Sequence, residues 1–596
     1  MSSQLYQALD SSKQEIRILI VDTQDFYSDG TLSCRLEIAS LLDEPRPYFE
    51  ALSWTWGDPT HSKYITIDGH KVGVSANAEE VLRHVCYEQK HGRVWLDAVC
   101  INQSDLHERG QQVSMMDEIY SRTARVLVWL GQEDETTEKA LRNIDQILAQ
   151  CQKLTNGFQS LEQRLLQEYS SRPHSEVPLP QCDWPAILKF YAAPWFFRVW
   201  VHQEVMLCKE ALVFQGRHSR SWFDISLAAQ WLSHSNFRQY SRHMTDDPGL
   251  GVDKASRIWR FTRQPPGATG YLSMTMYLGA TDPRDKVYGI LGLLRSVGND
   301  TFKLTSSYEA SLRDVYTKAT KLAIHADGLA AVELAQGLVP VSEGQELESD
   351  DSPWPSWVPH YNWRDYRPGG SPAMPDLPLQ IGAAGSEPLR LRFDDDNADI
   401  LTLGGCVVDT ITKLGSILDM DLILSASRIA KEVSDCRAMV PLVPDLDFAL
   451  TMVQGLDYNR TRPSEHIMNQ FPAFAQECRA KLTGQCHAEL LHDDDSLTYF
   501  SNIAWDYANT INVHSRNRRF FVTEKGYMGT SFPKTQVGDK VCILYGSTMP
   551  FVLRKVEERW RLLGTAYVHD IMEGEYVQRL REASRLQEES HSFDIC

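Results

Sequence analysis

Over the first 150 residues, short apolar runs alternate with stretches of helical periodicity. Phe49 to Trp54 (FEALSW) is a brief apolar run that ends at Gly57-Asp58-Pro59, a loop signal. Tyr64 to Ile67, then Asp68-Gly69, then Lys71 to Val74 predict a hairpin, because Asp-Gly accepts the positive φ of a tight turn. A helix is expected over Ala76 to Tyr87, and Val94 to Val99 (VWLDAV) has the pattern of a buried strand. Asp105 is placed to cap a further helix, with Glu108 three residues on able to bond back to the cap. Val113, Met116, Ile119 and Tyr120 would form the core face of that helix, while Gly110 weakens its first turn. Ala124 to Leu130 (ARVLVWL) predicts another strand, closed by Gly131. Such alternation points to an α/β sheet with a parallel core.

Beyond this region the pattern changes several times. Residues from about Leu154 to Cys182 form a polar, Pro- and Ser-bearing connection. Trp184 to Met206 is helical, interrupted at Ala193-Pro194-Trp195, and a second helix covers about Ser221 to Arg238. Helices are expected over 280–335, starting at Thr281-Asp282-Pro283-Arg284-Asp285. The stretch 341–390 is rich in Pro, Gly and acid, and is either a linker or a long ordered loop. From Phe520 short strands return (RFFVTE, KVCILYG, PFVLRKV, WRLLGTAYV), separated by turns, as in a small barrel or sandwich. The expected division is therefore an α/β domain over 1–215 with an insertion at about 131–190, and a mainly helical region over 216–340. A linker or loop (341–390), a mixed region (391–510), a small β-barrel-like domain (511–575) and a charged tail (576–596), expected as a surface helix, complete it.

Composition narrows the function classes. At 596 residues the chain has room for about three to five domains. Sixty Lys and Arg against 79 Asp and Glu leave a net charge of −19, a poor match to nucleic acid or an anionic membrane surface. Twelve scattered cysteines without a CxxC fit a reducing compartment rather than a zinc ribbon or disulfide scaffold. No basic, apolar leader opens the sequence, and no 18 apolar residues run together, so a cytoplasmic protein with no membrane span is expected. The common nucleotide, metal and hydrolase motifs are absent, and no metal site is expected. His487 and His492 are five apart, on different faces of any helix. The acidic runs Asp394 to Asp396 and Asp493 to Asp495 read as solvated loops.

Two stretches are more specific than their composition. Tyr48-Phe-Glu-Ala-Leu-Ser-Trp-Thr-Trp-Gly-Asp-Pro59 is one; Arg93-Val-Trp-Leu-Asp-Ala-Val-Cys-Ile-Asn-Gln103, continuing through Glu108-Arg109, Gln112-Val113, Ile119-Tyr120 and Val128-Trp-Leu-Gly131, is the other. Together they resemble the fungal heterokaryon-incompatibility (HET) domain. Pro194 to Val205, Asp282 to Gly289, Pro355 to Pro359 and the segment from Gly526 to Glu575 resemble the remainder of such proteins, with 380–510 the least distinctive part. The resemblance implies non-self recognition and programmed cell death in fungi. It also implies a TIR-like, flavodoxin-like α/β fold, and TIR domains in many proteins hydrolyse NAD. Against the TIR pattern the sequence offers Leu52-Ser53 to Gly57, Leu96-Asp97, and Trp200-Val-His-Gln-Glu204, with Val201 where TIR domains usually have Cys. The Trp-to-Glu spacing of four puts both side chains on one helical face.

This resemblance makes Glu204 the candidate catalytic residue, with NAD as substrate rather than cofactor. Ser53, Trp54, Trp56, Gly57, Asp97, Arg109 and Trp200 are the candidate substrate-binding residues. Each has a structural alternative. Glu204 could be a surface residue paired with Arg198 or Lys209, Trp200 a core aromatic, and the tryptophans after Ser53 plugs for the sheet rim. Asp97 could hold a ribose hydroxyl or cap a turn, Asn102 and Gln103 could bond loop backbone, and Arg109 could meet a pyrophosphate or a second subunit. Cys100 reads as a buried small residue. Three functions follow: a death effector with NAD hydrolase activity that self-associates through its HET domain, a non-enzymatic module signalling to a protein partner, or a component of a metabolic gene cluster.

Overall fold

The computed structural model describes residues 5–22, 32–58, 60, 62–88, 92–153, 163, 182–234, 250–297, 304–335, 339–340, 354–362, 366–367, 382–394, 397–418, 426–456, 462–483, 500–501 and 503–596. Most of the polar connection after Leu154, most of 341–390, His487, His492, Asp395, Asp396 and Asp493 to Asp495 lie outside them. The chain forms two compact units, one of residues 1–266 with 277–312, the other of 267–276 with 313–596.

The first unit is built on a nine-stranded sheet. Its strands are β1 (Glu15–Val21), β2 (Ser33–Ser40), β3 (Glu50–Ser53), β4 (Lys63–Ile67), β5 (His70–Val74), β6 (Arg93–Trp95), β7 (Val126–Trp129), β8 (Ala211–Gln215) and β9 (His218–Ser221), in the order β5-β4-β2-β1-β6-β3-β7-β8-β9. Strands β6, β3, β7 and β8 are mutually parallel, and the margins are mostly antiparallel. The sheet is thus mixed, with a parallel core, rather than wholly parallel. Taken in chain order, the four core strands stand 2-1-3-4, so the chain reverses direction beside β3. In doubly wound sheets that reversal opens a crevice at the carboxyl edge. All four residues of β3 and of β7 are buried, as expected for strands covered on both faces.

Local chemistry explains most boundaries. Asp68 and Gly69 both take positive φ (48° and 76°), giving the tight hairpin turn between β4 and β5. The strand expected over Val94 to Val99 stops at Trp95; Asp97–Cys100 is one helical turn, with the Val99 and Cys100 N–H groups bonded to the Leu96 carbonyl. Asp105 caps the Leu106–Ser114 helix by accepting from the N–H groups of His107 and Glu108. Glu108 does not complete a capping box. Its carboxylate instead pairs with the buried Arg17 guanidinium of β1 (2.6 and 3.0 Å) and accepts the Asn102 N–H. The helical run continues after Met115 as Met116–Arg122.

The second unit carries the other nine-stranded sheet. Its long strand Leu401–Leu418 pairs in turn with Ser590–Ile595, Lys540–Leu544 and Arg518–Thr523. The pairing with Lys540–Leu544 closes a ring that also contains Phe551–Val556 and Arg559–Thr565. The barrel is therefore completed from outside 511–575. In particular the 576–596 tail is more than a surface helix: Glu575–Glu582 buries Tyr576, Val577 and Leu580, and Ser590–Ile595 is a strand of the barrel. Helices Ala426–Met439, Asp445–Met452, Phe471–Thr483 and Trp505–Ser515 form an apolar layer packed on Phe520, Val522 and Met528. Among the described residues no helix is long and apolar enough to cross a membrane.

Candidate functional site

The carboxyl end of β3 carries Ser53 and Trp54 into the edge where the parallel core reverses. Facing it is the short helix Val201–Met206, in which Val201, His202, Gln203, Glu204 and Val205 are all buried. Glu204 is 4% exposed, so the reading of a surface glutamate does not hold. Its carboxylate accepts a short hydrogen bond from the Ser53 hydroxyl, which in turn accepts from Trp195 Nε1 at 2.7 Å. Burial pushes the Glu204 carboxyl up to about 7; the Arg198 charge and the Ser53 bond oppose the rise, and Asp97 adds to it. A carboxyl with that value exists in both protonation forms near neutrality, the condition suited to proton exchange.

Asp97 stands at the end of the neighbouring core strand. Trp54 Nε1 donates to one of its oxygens (2.9 Å) and Trp56 Nε1 to the other (3.0 Å), with the indole rings stacked at 6.1 Å. Trp54 is buried and Trp56 exposed, so one indole fills the sheet rim while the other presents a face to solvent. Asp97 also accepts the N–H of the next residue, Ala98, and is the first residue of the helical turn rather than its cap. Gly57 has φ +64°, and a Cβ there would lie 2.6 Å from Asn77 Nδ2, which donates to the Thr55 carbonyl. Tyr120, buried nearby, donates to the Leu52 carbonyl at 3.2 Å.

Trp200 and Arg109 belong to a second group. Trp200 Nε1 donates to Asp285 (3.3 Å), whose other oxygen accepts from Tyr308 (2.9 Å), and the Arg109 guanidinium lies 3.6 Å from the Tyr308 ring centre. Asp285 is raised to about 6, chiefly by burial. Trp200 is thus half-buried and polar-anchored rather than a plain core aromatic. The remaining neighbours are structural. Gln103 bonds the Asp97 carbonyl, and the Asn102 side chain accepts from Ser104. Cys100 is fully buried with its thiol pushed up to about 12 by burial, unfit as a nucleophile. Burial and the charges of Lys254 and Arg257 hold His202 down at about 3. Trp195 and Asp285, which touch the candidate residues, were not singled out as site residues by the sequence, although both fall within the segments Pro194–Val205 and Asp282–Gly289. Among the described residues no three His, Cys, Asp or Glu side chains group as a metal site.

An α/β unit with this edge, joined to a β-barrel unit, matches two family models. Residues 49–204 match the heterokaryon incompatibility protein (HET) model, and 438–585 match the Het-6 β-barrel domain. The chain is an HET-domain protein. It is similar along nearly its whole length to heterokaryon incompatibility protein 6, OR allele, of Neurospora crassa, with 23% identity over an alignment of 672 positions covering 95% of each chain. No solved structure matches it.

Proposed function

We propose that this chain is a heterokaryon-incompatibility protein whose HET domain hydrolyses NAD in the manner of TIR domains, with Glu204 as the catalytic carboxylate. The observation that carries the reading is the burial of Glu204 against Ser53 at the reversal point of the parallel core, with its carboxyl raised to about 7. The nicotinamide–ribose bond breaks with its electron pair going to the nicotinamide nitrogen, so a cationic ring leaves neutral and needs no proton. One carboxylate then suffices where most glycosidases need two. Ionised Glu204 stabilises the positive charge developing on the ribose and accepts a proton from the water that adds to the ribose carbon. Nicotinamide, ADP-ribose and one proton are the products. The exposed Trp56 offers a stacking face, and Asp97, which orients it, sets its position. Self-association through the HET domain would build the assembled death effector.

The test is nicotinamide release by the full chain, followed by chromatography at several protein concentrations, beside Glu204→Gln. Release that disappears in a folded Glu204→Gln protein is the expected result. Equal release from both proteins removes Glu204 as catalyst, and no release at any concentration favours the non-enzymatic signalling module.

A further inference from the structure

Arg518 and Arg519 are neighbours on one strand of the barrel unit, and their surroundings differ sharply. Arg519 is half-buried and its guanidinium meets three carbonyls, those of Gly415 (3.1 Å), Pro533 (3.4 Å) and Thr535 (3.1 Å). Arg518 is 3% exposed. Among the described residues it has one acceptor, the Thr565 carbonyl at 3.5 Å, and its Nε–H has none. The Phe532 ring centre lies 4.3 Å from the guanidinium carbon. Among the described residues it forms no ion pair.

The strand register places more unused polarity beside it. Arg519 pairs with Ser531 and Phe520 with Thr530, so Arg518, Phe520 and Thr530 share one face of the ladder. Phe520 on that face belongs to the apolar layer under the helices. Thr530 is fully buried, and its hydroxyl has no partner among the described residues. A guanidinium carries five donors in a planar fork, and burying it without a counter-charge is strongly unfavourable. The Phe532 face offsets part of that cost. A trapped water would satisfy the Nε–H and the hydroxyl, but it would leave the charge uncompensated.

We propose that the barrel unit binds a compact oxyanion, a carboxylate or phosphoryl group, through the Arg518 fork and the Thr530 hydroxyl, with Phe532 flanking the guanidinium. Two acceptor oxygens match the fork geometry, and a third lone pair receives the hydroxyl proton. Such a ligand supplies both the missing charge and the missing acceptors. The site is independent of Glu204 and lies in the other compact unit.

The experiment uses the full chain. Anions released on denaturation are identified by mass spectrometry, for wild type and Arg518→Met. The refolded or anion-depleted proteins are then titrated with inorganic phosphate and with acetate, against sodium chloride at matched ionic strength, with thermal unfolding as the readout. Wild type should release or bind one equivalent of oxyanion, and its unfolding temperature should rise saturably with phosphate or acetate. The two salts distinguish a phosphoryl from a carboxylate ligand. Arg518→Met should neither release an anion nor respond beyond chloride. Where that variant does not fold, Thr530→Val should weaken the response and Arg518→Lys should retain part of it, since the charge survives and the fork is lost. Absence of both release and response in wild type, or an equal response in all variants, overturns the proposal.

Discussion

Replacing Glu204 by Gln should stabilise the first unit above neutral pH while abolishing the proposed NAD hydrolysis. Burial raises the carboxyl from its ordinary 4.5 to about 7, so the folded state holds its proton where the unfolded chain has lost it. A difference of that size corresponds to about 3 kcal/mol between the two forms. A carboxyl with a raised folded-state value contributes stability that is full below about 4.5 and lost as pH rises through about 7. Glutamine keeps the shape and an oxygen for the Ser53 hydroxyl but has no charge to bury. The stability of Glu204→Gln relative to wild type should therefore climb by about 3 kcal/mol between pH 4.5 and pH 8, then level off. Urea unfolding at a series of pH values, followed by tryptophan fluorescence, gives both curves, and subtraction cancels the titration of groups common to the two proteins. A difference that stays flat with pH would refute the claim that burial of Glu204 outweighs the Arg198 charge and the Ser53 bond. A difference that falls with pH would mean the ionised form is the better-held one.

Four further outcomes follow from the same geometry. In the proposed hydrolysis the ionised form of Glu204 acts, so kcat/KM for NAD should fall about tenfold per pH unit below about 7; a profile flat to pH 5 contradicts this. Asp97→Ala removes the shared acceptor of the Trp54 and Trp56 indoles and should cost about 1–3 kcal/mol, because the buried Trp54 N–H is left unpaired; unchanged urea midpoint and tryptophan emission would count against it. Glu108→Ala leaves the Arg17 guanidinium buried without its partner and should cost about 3–5 kcal/mol, seen as a large drop in unfolding midpoint. Gly57→Ala must adopt positive φ and displace the Asn77 amide, so roughly 1 kcal/mol or more of destabilisation is expected, measured by thermal unfolding.

The short-range chemistry of this chain was legible in its sequence. Asp68-Gly69 made a turn because both residues tolerate positive φ, and Asp105 capped a helix because its carboxylate reaches N–H groups two and three residues on. The break at Ala193-Pro194 separates Trp184–Tyr191 from the later turns, as proline demands. The four-residue step from Trp200 to Glu204 placed the two on successive turns, with the Glu204 N–H bonded to the Trp200 carbonyl.

Pairings across the chain were decided only by the tertiary structure. Glu108 has the spacing of a capping-box acid, yet a buried arginine 91 residues away is the stronger partner, and nothing local announces it. The same limit governs the site. Ser53 and Glu204 meet across 151 residues because β3 and the Val201–Met206 helix share one edge of the sheet. The segment VHQEVM, expected to be helical, carries three polar side chains in six and left a surface position open for Glu204, although packing buries nearly all of it. The strands β1 and β2 and the final barrel strand Ser590–Ile595 escaped for a related reason. Periodicity records which residues want burial, whereas the partner that buries them is set by register and chain topology over hundreds of residues. The sequence determined where the chain turns, caps and breaks; the fold determined which carboxylates lost water, and hence which of them can do chemistry.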